Sequence, residues 1–254
     1  MNAYVLSVWV GCVALESIVA IRALRTEWFR SYRVFFTYII WVFFQDLFFL
    51  AVYFKGSSYY ALLYWVAEFV TVALGCGVTW EIFQRALKGC PGATRMAKGV
   101  LALVLVTAVS KVAVNIWNDV APWPGTMIEL ERNLRAIQAT SLIALGLLVA
   151  YYGIPLGRNL IGILFGYGLF ISTSVLNLTL RAFFGRPFQA TWTYLQPLCY
   201  SAVLAIWCVS LWNFEEAPIP PAEPRLEKDY AQLATVTKKG LLQVRAYLGW
   251  GLRP

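Results

Sequence analysis

The sequence predicts an all-α polytopic membrane protein: a bundle of seven transmembrane helices, N-terminus outside and C-terminus in the cytoplasm. Three observations carry that expectation. The 254 residues are 60% hydrophobic and only 13% charged, against about 25% charged in soluble domains. Seven apolar runs stand near the ~20 residues needed to cross a hydrocarbon core. The lysines and arginines between the runs fall mostly on one side, as cytoplasmic loops require.

The first run, residues 3–22, lacks a basic leader and an Ala-x-Ala-like cleavage site. It therefore reads as an anchor rather than a cleaved signal peptide. Runs at 34–54, 59–84, 99–117, 129–152, 159–182 and 190–212 follow. None shows the alternating pattern of a membrane β-barrel. The loops after runs one, three and five, together with the tail, hold 15 basic residues, among them Arg22, Arg33, Arg85, Lys98 and Arg158. The opposite loops hold Lys55, Arg181 and Arg186. This bias puts the N-terminus outside and the C-terminus in the cytoplasm, and it accounts for most of the net charge of +8 without a nucleic-acid partner.

Residues 1–213 form the predicted transmembrane domain and 214–254 a cytoplasmic tail. The stretch from Glu215 to Pro224 carries four prolines and reads as a stiff linker. Beyond it, Tyr230, Leu233, Leu241, Val244 and Leu248 can share one helical face beside Lys238, Lys239 and Arg245. Such a helix lies on the inner leaflet or docks on a protein partner, which assigns partner contact to residues 226–254.

The chain has no histidine. That removes imidazole-ligated haem, imidazole-based metal sites, and triads or shuttles built on histidine. The five cysteines form no CxxC pair and read as buried apolar thiols. There is no HExxH or Walker loop. Gly166-Tyr167-Gly168 is followed by Leu169, not the aspartate of a GxGD protease. The last run has no lysine for a retinal Schiff base. No enzyme, cofactor or metal is expected, although a bound lipid, quinone or carotenoid is compatible with the composition.

The informative residues are the polar ones inside the runs. Charges at membrane depth are costly and turn toward the bundle interior. Counting 1.5 Å per residue places Gln45, Asp46, Glu68, Lys111, Arg132, Arg135, Gln138, Asn177, Arg181 and Gln196 in the outer half of the bilayer. The inner half offers little beyond Glu16, Ser17 and Glu81. A polar outer cavity or a buried ion-pair network, closed below by an apolar plug, is the expectation. Glu131 with Arg135 (i, i+4) and Glu129 with Arg132 (i, i+3) can pair along one helix. Lys111 then requires Asp46 or Glu68. Read as structure, these groups clamp helix register. Read as function, Arg132, Arg135, Lys111 and Arg181 favour an anionic or zwitterionic small ligand. Pro197 kinks the last run and offers a hinge. Gly162 and Gly166 let a neighbouring helix approach closely, inside the bundle more readily than in a dimer.

The run Leu130-Glu131-Arg132-Asn133-Leu134-Arg135-Ala136-Ile137-Gln138, followed by Gly162-Ile163-Leu164-Phe165-Gly166-Tyr167-Gly168-Leu169-Phe170, resembles an uncharacterised group of bacterial seven-helix inner-membrane proteins. The resemblance covers runs five and six. It implies the same topology and carries no site residue.

Three function classes follow. The first is a non-enzymatic receptor-like protein or accessory subunit of a membrane complex. The second is an ion-coupled small-molecule transporter with Asp46, Glu68, Lys111 and Glu16 as coupling groups. The third is a structural component of a larger assembly holding pigments, quinones or lipids.

Overall fold

The computed structural model describes residues 3–25, 28–55, 60–117, 123–215 and 225–251. Among them all regular structure is helical: α1 (Ala3–Arg25), the short α2 (Trp28–Ser31), α3 (Arg33–Lys55), α4 (Tyr60–Ala86), α5 (Pro91–Trp117), α6 (Trp123–Tyr152), α7 (Arg158–Phe184), α8 (Arg186–Ser210) and α9 (Arg225–Gly251). Among the described residues, six helices contain segments long and apolar enough to cross a membrane: Leu6–Arg25, Arg33–Val52, Val66–Ala86, Glu129–Tyr152, Arg158–Arg181 and Phe188–Ser210. The run at 99–117 lies within α5, where many side chains, Lys111 included, fall outside the described residues.

Helix packing follows a closed path. α1 packs on α3, α3 on α4, α4 on α6, α6 on α7, α7 on α8, and α8 returns to α1. α5 stands against α4 and α6, and α9 packs on α5. Inside the ring the side chains interlock. Phe35, Tyr38, Ile39, Ile163, Tyr167 and Trp207 are all buried to 1% exposure or less. On the outside, Leu24, Leu103, Leu147, Phe165 and Phe183 are well exposed. At most 39% of any spanning segment is buried. Apolar surface on this scale needs an apolar solvent, as in a helix bundle set in lipid.

Glycines set the closest approaches. A Cβ at Gly162 would collide with Ser210, and one at Gly166 with the indole of Trp207. The GxxxG face is thus used within the chain, between α7 and α8. Gly185 takes φ 63° and lets α7 turn into α8 across one residue.

One end of the ring is fixed by capping contacts that reach across helices. The Glu81 carboxylate at the end of α4 accepts the Phe35 N–H in the first turn of α3 at 2.9 Å, satisfying a donor with no partner in its own helix. Asn159 at the start of α7 donates to the carbonyls of Ser210 and Asn213 at 2.8 and 2.9 Å. Its own oxygen accepts the Glu215 N–H at 2.8 Å. Arg22 lies over the Trp212 ring, 4.2 Å from its centroid, and donates to the Trp212 carbonyl at 2.5 Å. This is the end that carries most of the arginines of α1, α2 and α4.

Candidate functional site: a polar belt inside the helix ring

The belt is centred on Arg135 in α6. Its side chain is only 7% exposed. Nε donates to Glu131 Oε1 at 2.8 Å, one turn back on the same helix. An amino group of the same guanidinium pairs with Glu68 Oε1 on α4. The Phe170 ring of α7 lies under the guanidinium, 5.6 Å away. Glu68 and Glu131 are 12% and 16% exposed. The planar fork of arginine suits this double engagement, which a lysine ammonium cannot reproduce. The cluster fastens α4 to α6 and carries two carboxylates against one guanidinium.

One turn deeper, Gln138 continues the belt. Its amide donates to Cys76 Sγ at 3.0 Å and to the Val72 carbonyl at 3.3 Å. Its oxygen accepts the Tyr167 hydroxyl at 3.4 Å. Gly75 makes room for that hydroxyl, since a Cβ there would meet it. The Tyr167 ring stands edge-on to Tyr38 of α3 at 5.7 Å. Between α3 and α4, Trp41 donates to Thr71 at 3.0 Å, and Thr71 donates to Gln45 at 2.6 Å.

The α1 side of the ring holds the remaining acids. Asp46 of α3 takes a hydrogen bond from Trp9. Glu16, in the middle of Leu6–Arg25, is fully buried. Its Oε1 accepts the Tyr200 hydroxyl of α8 at 2.6 Å. Close by, Ser201 donates to the Pro197 carbonyl at 2.8 Å, and Cys12 Sγ lies 3.2 Å from Ser201 Oγ. α8 continues through Pro197 as one helix.

Of the residues singled out in the sequence, Glu68, Arg135 and Gln138 come together, with Glu131 between them. Asp46 sits apart, at the α1–α3 seam, and Glu68 finds its partner in Arg135 of α6. Arg132 and Asn177 are half-buried. Arg181 and Gln196 are exposed on the outer surface and do not join the belt. The Lys111 side chain lies outside the described residues. Sequence reasoning missed the tyrosines Tyr38, Tyr167 and Tyr200. Tyr167 and Tyr200 stand mid-span, far from the interfacial level that tyrosine favours, which was the available signal; Tyr38, in the first turns of Arg33–Val52, offered none. All five cysteines are free thiols, with Cys12 and Cys90 buried.

A second polar cluster ties α9 to the bundle. Glu227 accepts the Gly92 N–H at 2.9 Å and takes a longer hydrogen bond from the Ala93 N–H at 3.5 Å. A carboxylate thereby caps the start of α5, where backbone donors and the helix dipole favour an anion. Tyr230 lies so close over Gly92 that no Cβ would fit. Tyr152 of α6 donates to Asp229 at 3.1 Å, and Leu226 is buried. Burial and the nearby Glu227 carboxylate push the Cys90 thiol above its ordinary pKa. From Ala231 to Lys239 every residue of α9 is exposed, Leu233 and Val236 each to 67%.

Comparison with protein-family models, with curated proteins and with solved structures finds no match.

Proposed function

We propose that this chain is a non-enzymatic, receptor-like or accessory subunit of a membrane complex. In this reading it spans the bilayer seven times with α5 supplying the fourth crossing. The capped, arginine-bearing end faces the cytoplasm, as the excess of basic loop residues favours. The polar belt fixes the ring, and α9 makes the outside contact. The observation that carries the proposal is the division of α9. Its first turns are tied down by Leu226, Glu227, Asp229 and Tyr230, and every residue from Ala231 to Lys239 is then exposed. A helix held at one end and left exposed along the next turns suits presentation to another surface. Residues 231–254 contain Lys238, Lys239, Arg245 and Arg253 and no acid, so that surface is an acidic protein face or an anionic leaflet. A photo-crosslinker at Val236 in whole cells tests this. One discrete protein adduct, or adducts to lipid, supports the proposal. No adduct at Val236 under conditions that label a lipid-facing control at Leu147 contradicts it.

The ion-coupled carrier is a second reading, favoured by the acids Glu16 and Asp46 within the ring. Solute flux in proteoliposomes that falls in both Asp46→Asn and Glu68→Gln would support it. Flux indifferent to both would remove it.

A further inference from the structure

Glu16 is the one buried carboxyl of the belt, among the described residues, with an oxygen left over. Oε1 takes the Tyr200 hydroxyl at 2.6 Å. Oε2 is buried and has no hydrogen-bond partner among the described residues. The residue is 0% exposed and stands midway along its spanning segment. Tyr200 on α8 touches it, and the other titratable groups whose charge reaches it, among the described residues, are Cys12 on its own helix and Asp46 and Tyr38 on α3. None of these is a cation, and one is a second acid.

A carboxylate in such a place would hold a full negative charge with one donor and a like charge as neighbour. Burying an unpaired charge is far more costly than burying a neutral acid with one unsatisfied atom. The Glu68 carboxyl shows the contrast, since Arg135 neutralises it directly. We propose that Glu16 is a proton-binding site at the α1–α8 seam, with the proton on Oε2 and the Tyr200 hydroxyl donating to Oε1.

The surroundings give the site a readout. Within a turn of Glu16 and Tyr200, the seam is pinned by the Cys12, Ser201 and Pro197 contacts. Releasing the proton places a charge at this seam beside Asp46. α1 and α8 then repel water less effectively and loosen around Pro197, whose missing N–H already removes one bond from the α8 ladder. Proton loading at Glu16 thus sets how tightly α1 and α8 close. This inference is independent of the role of α9.

Infrared spectroscopy on the full chain in lipid nanodiscs reads the site directly. At neutral pH the wild type should show the C=O stretch of a protonated carboxylic acid. Glu16→Gln should remove that band, Asp46→Asn should leave it, and Glu16→Asp, which keeps an acid at the site, should shift it. Raising the pH should bleach the band, with faster amide exchange across residues 198–203 over the same range. A protonated-acid band that survives Glu16→Gln, or a Glu16→Asp variant with no shift, overturns the proposal. Loss of the band on adding sodium at constant pH also overturns it, in favour of a metal-cation site.

Discussion

Replacing Arg135 by glutamine removes the guanidinium that pairs with both Glu68 and Glu131 while keeping much of the side-chain volume. In the native protein those two carboxylates are 12% and 16% exposed and meet through a cation that is 7% exposed. Solvent therefore screens the cluster little. Removing one partner of a buried ion pair costs about 3–5 kcal/mol, because a buried charge is left without compensation. That corresponds to about two to four decades in the folding equilibrium constant. A neutral hydrogen bond between membrane helices is worth only about 0.6 kcal/mol on average, so the two accounts of the contact are well separated. The assay is reversible unfolding in mixed micelles, titrated with a denaturing detergent and followed by tryptophan fluorescence. Arg135→Lys should fall between wild type and Arg135→Gln, since a lysine engages one carboxylate well and not two. The triple variant Glu68→Gln, Glu131→Gln, Arg135→Gln should recover most of the loss, because it buries no charge. An Arg135→Gln variant within about 1 kcal/mol of wild type, below the range expected for a broken buried pair, would refute the reasoning.

Other outcomes follow from contacts elsewhere. Gly166→Val drives a branched side chain into Trp207 and should cost about 1–3 kcal/mol, the usual range for overpacking, in the same unfolding assay; Gly168→Ala, facing open space, should be close to neutral. Glu81→Ala uncaps the start of α3 and should lose about 1 kcal/mol, typical of a lost cap. Glu227→Ala should speed hydrogen exchange at the Gly92 and Ala93 amides and leave the exchange of α7 unchanged. Cys90 should react slowly with a thiol reagent near neutral pH. Its pKa is raised, first by burial and then by Glu227, so the thiolate appears only at higher pH. Its labelling rate should keep climbing after an exposed thiol has levelled off, and Glu227→Gln should move the profile to lower pH.

Much of the architecture was legible in residues 1–213. Long apolar runs leave few options other than spanning helices, and six of the seven runs coincide with helices long and apolar enough to cross. The GxxxG at Gly162 and Gly166 was read as packing within the bundle, and the two glycines meet Ser210 and Trp207. Glu131 with Arg135 followed from helical spacing alone. The Glu68 partnership did not, because depth places a residue along a helix and says nothing about which neighbour it faces. Arg181 and Gln196 show the same limit from the other side. Both are exposed on the outside of the bundle: Arg181, at the end of its spanning segment, can snorkel to polar surroundings, whereas Gln196 stands midway along α8 and nothing in the structure explains its exposure. The tail was legible as an amphipathic helix. Its anchoring was hidden, since the cap that Glu227 supplies to α5 joins residues more than a hundred positions apart.

Native mass spectrometry of the full-length chain, released gently from its own membranes, tests the central claim most directly. The account predicts a stoichiometric complex containing this chain, lost when Lys238 and Lys239 are both changed to glutamate, or a chain that retains anionic lipid and loses it in the same variant. A lone chain, free of protein and lipid and unaltered by the charge reversal, would contradict it.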